Sequence, residues 1–406
     1  MKKTILILVA YYLPGFKAGG PIRSISGLVE GLSDDYGFMI ICGDRDLGEK
    51  QPFPNEPVGR WHNYGVARIL RIPTGFGGAI MMLRALRSES YDILYINSIW
   101  SRLYSMLPIA CRKFGLLPRT SVVVAPRGEL SIGALRIKPR QKRLYLALAR
   151  KARLFDGVLW QASSGAEKID IINTFGNVDV REAASIAESS FRNREPSSAE
   201  REVLIKPDLP VASRPEDTLS RRVSKAPGEL RVVTLGRVCL MKNIEFAIRL
   251  FHNVRGQVKY DIYGPLEDRE YLAKCEQQCA DLPHTVTVRF MGGIPHDAVQ
   301  EVLREYHLFL LPTLGENYGH VISEAMQAGC VPLISDCTPW RNLEEAGAGW
   351  DLPLSNPEAF IDALQTAVAW TDDNFQQLSG NAGRFVRDHI MTRGAIRENR
   401  LLFESV

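Results

Sequence analysis

The chain has 406 residues, a formal net charge of +4, 45% hydrophobic residues and 24% charged ones. That length exceeds one ordinary core, so two domains are expected, with the composition of a soluble globular protein. So small a net charge excludes whole-molecule steering of nucleic acid, and no apolar run reaches the roughly 20 residues that a membrane-spanning helix needs.

In chain order, the start Met1-Lys-Lys-Thr-Ile-Leu-Ile-Leu-Val-Ala10 has the basic beginning of a signal peptide. Its apolar run is brief, however, and meets Tyr11-Tyr12-Leu13-Pro14-Gly15 without a small-x-small cleavage site. A first buried strand of a parallel sheet, Ile5 to Ala10, accounts for it better. Gly15, Gly19, Gly20 and Pro21 follow, and then Ile22, Ile25, Leu28, Val29 and Leu32 repeat at helical spacing. Pro21 suits a first helical turn, and the glycines allow a phosphate or sugar to come close, although a tight connection has the same signature. Phe38 to Cys42 reads as the next strand. Behind it, Asp44-Arg45-Asp46 has the form of an Asp-x-Asp metal motif, a triplet that arises by chance in chains of this length.

Ile93 to Ile96 and Ser121 to Ala125 read as strands, with helical patterns around Ile80 to Leu86 and Leu103 to Phe114. Such alternation predicts a parallel, doubly wound sheet, which binds ligands beyond the carboxyl ends of its strands. Asn97 to Arg102 and Pro126-Arg127-Gly128-Glu129 fall there. Arg127 suits a phosphate or a sugar carboxylate and Glu129 an acceptor hydroxyl; a local salt bridge is the alternative for each.

Residues 136–153 hold eight basic residues and no acidic one, interleaved with Leu144, Leu146 and Leu148. A basic amphipathic helix is expected, suited to an anionic membrane surface or an acceptor phosphate, with a plain solvated face as the alternative. Nucleic-acid binding would want stacking aromatics, and Tyr145 alone is present. Pro196, Pro207, Pro210, Pro215 and Pro227 then break up a Ser-, Glu- and Arg-rich stretch, where an interdomain linker at 206–228 is expected. No internal repeat is visible.

The second half opens like the first. Leu230 to Leu235 reads as a strand, and Gly236-Arg237-Val-Cys-Leu-Met-Lys242-Asn243 as a turn before a helix starting at Ile244. Two cations on such a turn can neutralise a diphosphate without a metal, Arg as a bidentate fork and Lys as a point charge. Strands at Lys259 to Tyr263 and Val286 to Phe290 end in Gly264-Pro265 and Met291-Gly292-Gly293. A buried strand at His307 to Leu311, a glycine-punctuated loop, a helix from about His320 and a strand at Val331 to Ser335 follow. Glu316 lies in the loop, and Glu324, with seven residues between them, near the start of the helix. Gly319 lets a ligand approach, and the free N–H groups behind it favour an anion. Successive strands thus end in glycine or polar turns at one edge, which is the arrangement of a nucleotide site. The seven cysteines (42, 111, 239, 275, 279, 330 and 337) form no C-x-x-C pair and match no zinc spacing with the histidines, so reduced thiols in the cytosol are expected.

Gly236-Arg237 with Lys242-Asn243, the Pro-Thr-x-Gly-Glu-Asn-Tyr-Gly-His-x-x-x-Glu-Ala-Met-x-Ala-Gly segment carrying Glu316 and Glu324, and the Gly19-Gly20 loop together resemble the family-four retaining glycosyltransferases of GT-B fold. Thr338-Pro339-Trp340-Arg341-Asn342-Leu343 and Pro126-Arg127-Gly128 further resemble a bacterial subgroup that builds capsule, O-antigen or exopolysaccharide. The resemblance implies an α/β chain of two Rossmann-like doubly wound domains facing a central cleft. An acceptor-binding domain is expected over 1–205, a nucleotide-sugar domain over 229–375, and C-terminal helices over 376–406 that cross back to the first domain.

By the same resemblance, Arg237 and Lys242 hold the donor diphosphate, Glu316 contacts the donor sugar and acts with them in catalysis, and Glu324 binds the ribose. Gly20, Gly236, Asn317, Tyr318, Gly319, His320 and Val321 complete the donor site, and Asn97, Arg127 and Glu129 form the acceptor side. Many relatives carry His-Gly where this chain has Arg127-Gly128; Arg127 supplies charge and hydrogen bonds but no proton transfer. The implied partners are a nucleoside-diphosphate sugar and a glycan or polyprenyl-diphosphate-linked acceptor, with no metal cofactor and no nucleic acid. A cytoplasmic protein is implied, with peripheral contact to the inner membrane through 136–153. A sugar-nucleotide epimerase of the same fold and a non-catalytic sugar-nucleotide binder are the competing readings.

Overall fold

The computed structural model describes residues 2–131, 134–135, 139–175, 203–205, 223–266, 268–391 and 394–404. The chain divides into two compact units, residues 1–211 with 393–406, and residues 212–392. Most of the expected linker, 206–222, lies outside the described residues, as do residues 136–138 of the basic stretch.

The first unit runs β1 (Thr4–Leu8), α1 (Gly20–Leu32), β2 (Gly37–Gly43), β3 (Trp61–Tyr64), β4 (Ala67–Ile72), α2 (Phe76–Ser88), β5 (Ile93–Asn97), α3 (Leu107–Lys113), β6 (Ser121–Ala125), α4 (Pro139–Lys151), β7 (Leu159–Ala162), α5 (Gly165–Phe175) and β8 (Val203–Ile205). Its sheet has the order β3-β4-β2-β1-β5-β6-β7-β8, and among the described strands only β3 pairs antiparallel, with β4. Ile5 pairs in register with Phe38 of β2 and Ile93 of β5. β1 is apolar at nearly every position because helices cover both of its sides. Leu6 and Leu8 pack with α2, α3 and α4 on one face; Ile5, Ile7 and Val9 pack with α1 on the other.

The two faces follow from the winding. From β1 the chain steps outward through α1 to β2, and after β4 it steps the opposite way through α2, α3 and α4 to β5, β6 and β7. Right-handed crossovers in opposite directions place their helices on opposite faces.

The second unit runs β9 (Glu229–Leu235), α6 (Ile244–Leu250), β10 (Gln257–Tyr263), α7 (Arg269–Cys279), β11 (Val286–Gly292), α8 (His296–Leu303), β12 (Leu308–Leu311), α9 (His320–Ala328), β13 (Val331–Ser335), β14 (Trp350–Leu352), α10 (Pro357–Ala369) and α11 (Asp372–Met391). Its sheet is parallel, in the order β11-β10-β9-β12-β13-β14. The last helix, α12 (Gly394–Glu404), belongs to the first unit: Leu402 and Phe403 are buried in the core beside α1, and the Phe403 ring meets Tyr36 and Tyr95 edge-on.

Periodicity does not announce β4, because Arg68 and Arg71 interrupt its apolar run. Arg71 is nonetheless fully buried. Its Nε donates to Glu56 at 2.9 Å and Nη2 to the Leu13 carbonyl at 2.7 Å, with the Phe53 and Tyr64 rings against its guanidinium. A buried charge persists only with such partners.

Candidate active site

The exit turns of β9, β10 and β11 are laced together at the carboxyl edge of the second sheet. Gly236 N donates to Tyr263 O at 2.9 Å, and Gly264 N to Gly292 O at 2.8 Å. A Cβ on Gly264 would lie 1.9 Å from Gly236 O, so no side chain is compatible with this approach. Past Gly236 the chain makes a tight turn at Leu240–Lys242, ending on Asn243 in the left-handed region (φ 55°). This carries Arg237, exposed and without an ion-pair partner among the described residues, and Lys242, half-buried, to the same edge.

The loop after β12 is fastened to that turn. Thr313 is fully buried, its hydroxyl 2.9 Å from the Met241 carbonyl, which also accepts from Leu314 N at 2.8 Å. Ser335 at the end of β13 donates to the Thr313 carbonyl at 2.6 Å, and Glu316 N donates to Cys337 O at 3.0 Å. Held from both sides, Glu316 forms an ion pair with Lys242. Two of the three residues expected to carry the chemistry are thereby in contact.

The rest of the loop is packed and hydrogen-bonded. Gly236, Asn317 and Val321 are half-buried, and Tyr318 and His320 are buried with their rings 4.6 Å apart. Trp340, 1% exposed, donates from Nε1 to the Tyr318 carbonyl at 2.7 Å. Gly319 adopts φ 77°, and a Cβ there would meet Ile322 Cδ1 at 2.8 Å. It starts α9, whose first amide N–H groups point at this edge and whose dipole favours an anion there. Glu324 is half-buried one turn in, its backbone carbonyl accepting from Gln300. Sequence reasoning missed the roles of Thr313, Met241 and Ser335, though a buried-strand end followed by Pro312-Thr313 is itself a signal of an internal hydrogen bond.

In the first unit, Gly20 begins α1, and a Cβ there would meet nothing within 4 Å. The loop before it is held by Asp46, 5% exposed, whose carboxylate accepts from Phe16 N at 2.9 Å, Lys17 N at 3.1 Å and Leu47 N at 2.8 Å. Asp44 pairs with Arg45. The Asp-x-Asp triplet therefore anchors the glycine loop.

Asn97 and Arg127 meet at the ends of β5 and β6: Arg127 Nε donates to Asn97 Oδ1 at 2.7 Å and Nη2 to the Tyr95 hydroxyl at 2.6 Å. Arg127 stands at φ 58°. Tyr95 passes the chain on to Gln161 Oε1 at 2.7 Å, and Gln161 to Asn399 of α12 at 3.4 Å. Glu129 is half-buried beside residues 98–100. Its carboxylate accepts from Ser98 Oγ at 2.9 Å and Ile99 N at 2.7 Å, bracing residues 98–100. Burial raises its pKa, opposed by these hydrogen bonds. Tyr95 and Gln161, buried polar residues in apolar strands, were not singled out from sequence.

Residues 216–382 match the family model of the glycosyl transferases group 1. The second unit is a group 1 glycosyltransferase domain. Over 170 residues the chain is 26% identical to an uncharacterized glycosyltransferase from Methanocaldococcus jannaschii, a match taking in 41% of this chain and 40% of that protein. The chain thus spans less than half the length of this curated relative. Around the group 1 domain, the whole chain resembles solved structures. Anabaena HepE, solved in complex with UDP and glucose, superposes with a TM-score of 0.65 at 14% identity over 100% of both chains. WaaG, a glycosyltransferase involved in lipopolysaccharide biosynthesis, does so with 0.62 at 13% identity over 98% of each. Sucrose-phosphate synthase from Thermosynechococcus elongatus gives 0.65 at 15% identity over 100% of this chain and 99% of that one. At these identities the likeness is one of fold: two parallel-sheet α/β units of the GT-B type.

Proposed function

We propose that the protein is a retaining glycosyltransferase that moves a sugar from a nucleoside diphosphate to a hydroxyl of a lipid-linked glycan acceptor in the synthesis of bacterial surface polysaccharide. The observation that carries this reading is the ion pair of Lys242 with Glu316 on the loop that leads into α9, with Arg237 exposed on the turn that carries Lys242, at the carboxyl edge of a parallel sheet within residues that match the group 1 model. HepE was solved with UDP and glucose, and WaaG takes part in lipopolysaccharide biosynthesis, which supports the donor class and the cellular role.

In the proposed mechanism, Arg237 and Lys242 stabilise the charge that grows on the departing diphosphate, and the first amides of α9 add to it. Glu316 holds the sugar hydroxyls beside the reacting carbon, and Glu324 the ribose. Retaining glycosidases set a carboxylate nucleophile across the sugar from the leaving group. The proposal is instead a front-side transfer, in which the departing phosphate takes the acceptor's proton and positioning supplies much of the rate. On the acceptor side, Arg127 offers charge for a phosphate or sugar carboxylate.

A donor screen monitored by nucleoside diphosphate release, followed by mass analysis of a lipid-linked product and its anomeric configuration, tests this. Interconversion of the sugar nucleotide without any acceptor overturns it in favour of an epimerase. Binding without turnover in the presence of membrane extracts overturns it in favour of a binding protein.

A further inference from the structure

Thr338-Pro339-Trp340-Arg341-Asn342-Leu343, the segment that leaves β13, has no part in the mechanism above, yet it and the end of β13 are fastened to the Glu316 loop at three points. Ser335 donates to the Thr313 carbonyl at 2.6 Å, the Cys337 carbonyl accepts from Glu316 N at 3.0 Å, and Trp340 Nε1 donates to the Tyr318 carbonyl at 2.7 Å. A tryptophan as deeply buried as Trp340 places its N–H on an acceptor. The acceptor here is the last carbonyl before Gly319, the residue from which α9 starts. The Tyr318 ring also meets the indole edge-on, with centroids 5.5 Å apart.

What this bond fixes is a peptide plane. The Tyr318–Gly319 peptide is trans, and in a planar trans peptide the C=O and the N–H point in opposite directions. With its carbonyl on the indole, the plane turns the Gly319 N–H away from Trp340. Gly319 is buried, and its N–H makes no hydrogen bond among the described residues. A buried amide is rarely left in that state, and a ligand oxygen completes it. Without the indole the plane is free to turn over, because glycine tolerates both signs of φ. The loop would then present a carbonyl oxygen, which repels an anion, in place of an N–H that attracts one.

The indole is itself held from behind. Asp351 on β14 accepts from Leu343 N at 2.9 Å and from Asn342 N at 3.3 Å, and pairs with Arg341 at 3.2 Å. Arg341 Nη1 donates to the Asp336 carbonyl at 2.6 Å, and Trp340 N to the Thr338 hydroxyl at 3.2 Å. Residues 336–343 are thus closed on themselves and tied to β14, with Trp340 at their centre. We propose that Trp340 is a positioning residue of the donor site, aiming the Gly319 N–H at an oxygen of the bound nucleoside-diphosphate sugar, and that Asp351 positions Trp340. This deepens the sugar-transfer reading and rests on it.

The test is titration calorimetry of the full chain with UDP, GDP, ADP and dTDP, following the tightest binder through the variants beside a thermal melt. Trp340→Phe keeps a ring in the core and removes the N–H. Its dissociation constant is expected to rise about tenfold or more, as for the loss of one hydrogen bond to a charged group, with the number of sites per chain unchanged. Partial unfolding does the reverse, lowering the number of sites at constant affinity. Tyr260→Phe, which removes a buried hydrogen bond to Thr234 in the core of the same unit, is the control for lost stability and is expected to bind like the parent. Asp351→Ala touches neither the indole nor the loop and is expected to weaken binding several-fold. Asp351→Asn keeps an oxygen for Leu343 N and is expected to recover most of it. Parent-like affinity in Trp340→Phe, fewer sites at unchanged affinity, or an equal rise in Tyr260→Phe overturns the proposal. Parent-like affinity in Asp351→Ala overturns the part given to Asp351, and if Trp340→Phe does not fold, the two Asp351 variants decide. If the parent binds none of the four nucleotides, the sugar-transfer reading itself fails, so the two failures are separately visible.

Discussion

Lys242 and Glu316, 74 residues apart in sequence, form an ion pair at the carboxyl edge of the second sheet. A diphosphate arriving at Lys242 must compete with the Glu316 carboxylate. Glu316→Gln removes that competitor and one negative charge. It is expected to tighten nucleoside diphosphate binding about tenfold, by the loss of on the order of 1.4 kcal/mol of opposing charge interaction, while slowing sugar transfer by about 10²-fold or more. Calorimetric binding and transfer rates on the same preparation check this; weaker diphosphate binding in the variant would contradict it.

Arg237 is expected to tolerate no substitution in its role. Arg237→Lys keeps the charge but loses the planar fork, so donor affinity falls about tenfold even though melting is unchanged at this exposed position. Donor titration beside a thermal melt separates the two effects.

Two glycines should behave oppositely. Gly264→Ala drives a Cβ to 1.9 Å from Gly236 O, and backbone has nowhere to go. Loss of stability of about 3 kcal/mol or more, or failure to fold, is expected. At Gly20 there is open space, so Gly20→Ala should melt like the parent. An accompanying rise in donor KM would place a ligand against that backbone.

Tyr95→Phe deletes the hydroxyl that accepts from Arg127 and donates to Gln161. Both partners are then left short of a hydrogen bond in a buried setting, at a cost of about 1–3 kcal/mol. Denaturant unfolding measures this directly. Gln161→Leu in the same background should cost less than the sum of the single changes, because the two act through one chain of bonds.

His307 links stability to pH. It is buried, its Nδ1 accepting from Arg231 N at 3.0 Å and its Nε2 facing the Ser224 carbonyl at 3.1 Å, and burial lowers its pKa to about 4. An unfolded chain takes up this proton near pH 6.5, the folded one only near pH 4, so between those values the unfolded state binds more protons. Stability from this residue is therefore complete above pH 6.5 and falls as pH drops towards 4, at a limiting slope of about 1.4 kcal/mol per pH unit. The difference between parent and His307→Gln unfolding curves across that window isolates the contribution; parallel curves would rule it out.

The amino-acid order alone was enough for the strands, helices and loops of the carboxyl edge of the second sheet. Ile5 to Ala10, Leu230 to Leu235 and His307 to Leu311 are apolar runs ended by glycine or polar turns, and such local patterns need no partner to be read. Arg237, Lys242 and Glu316 were expected at that edge from the turn and loop patterns alone, and folding brings Lys242 and Glu316 into contact there. Tertiary structure decided the rest. The Met241 and Cys337 carbonyls that hold the Glu316 loop are main-chain atoms and leave no trace in residue identity. β4 was hidden because Arg71, a charge in a strand, looks exposed until Glu56, Phe53 and Tyr64 close around it. Glu129 was expected on the acceptor side; that its carboxylate accepts from Ser98 and Ile99, about thirty residues away, is a contact only the folded chain makes.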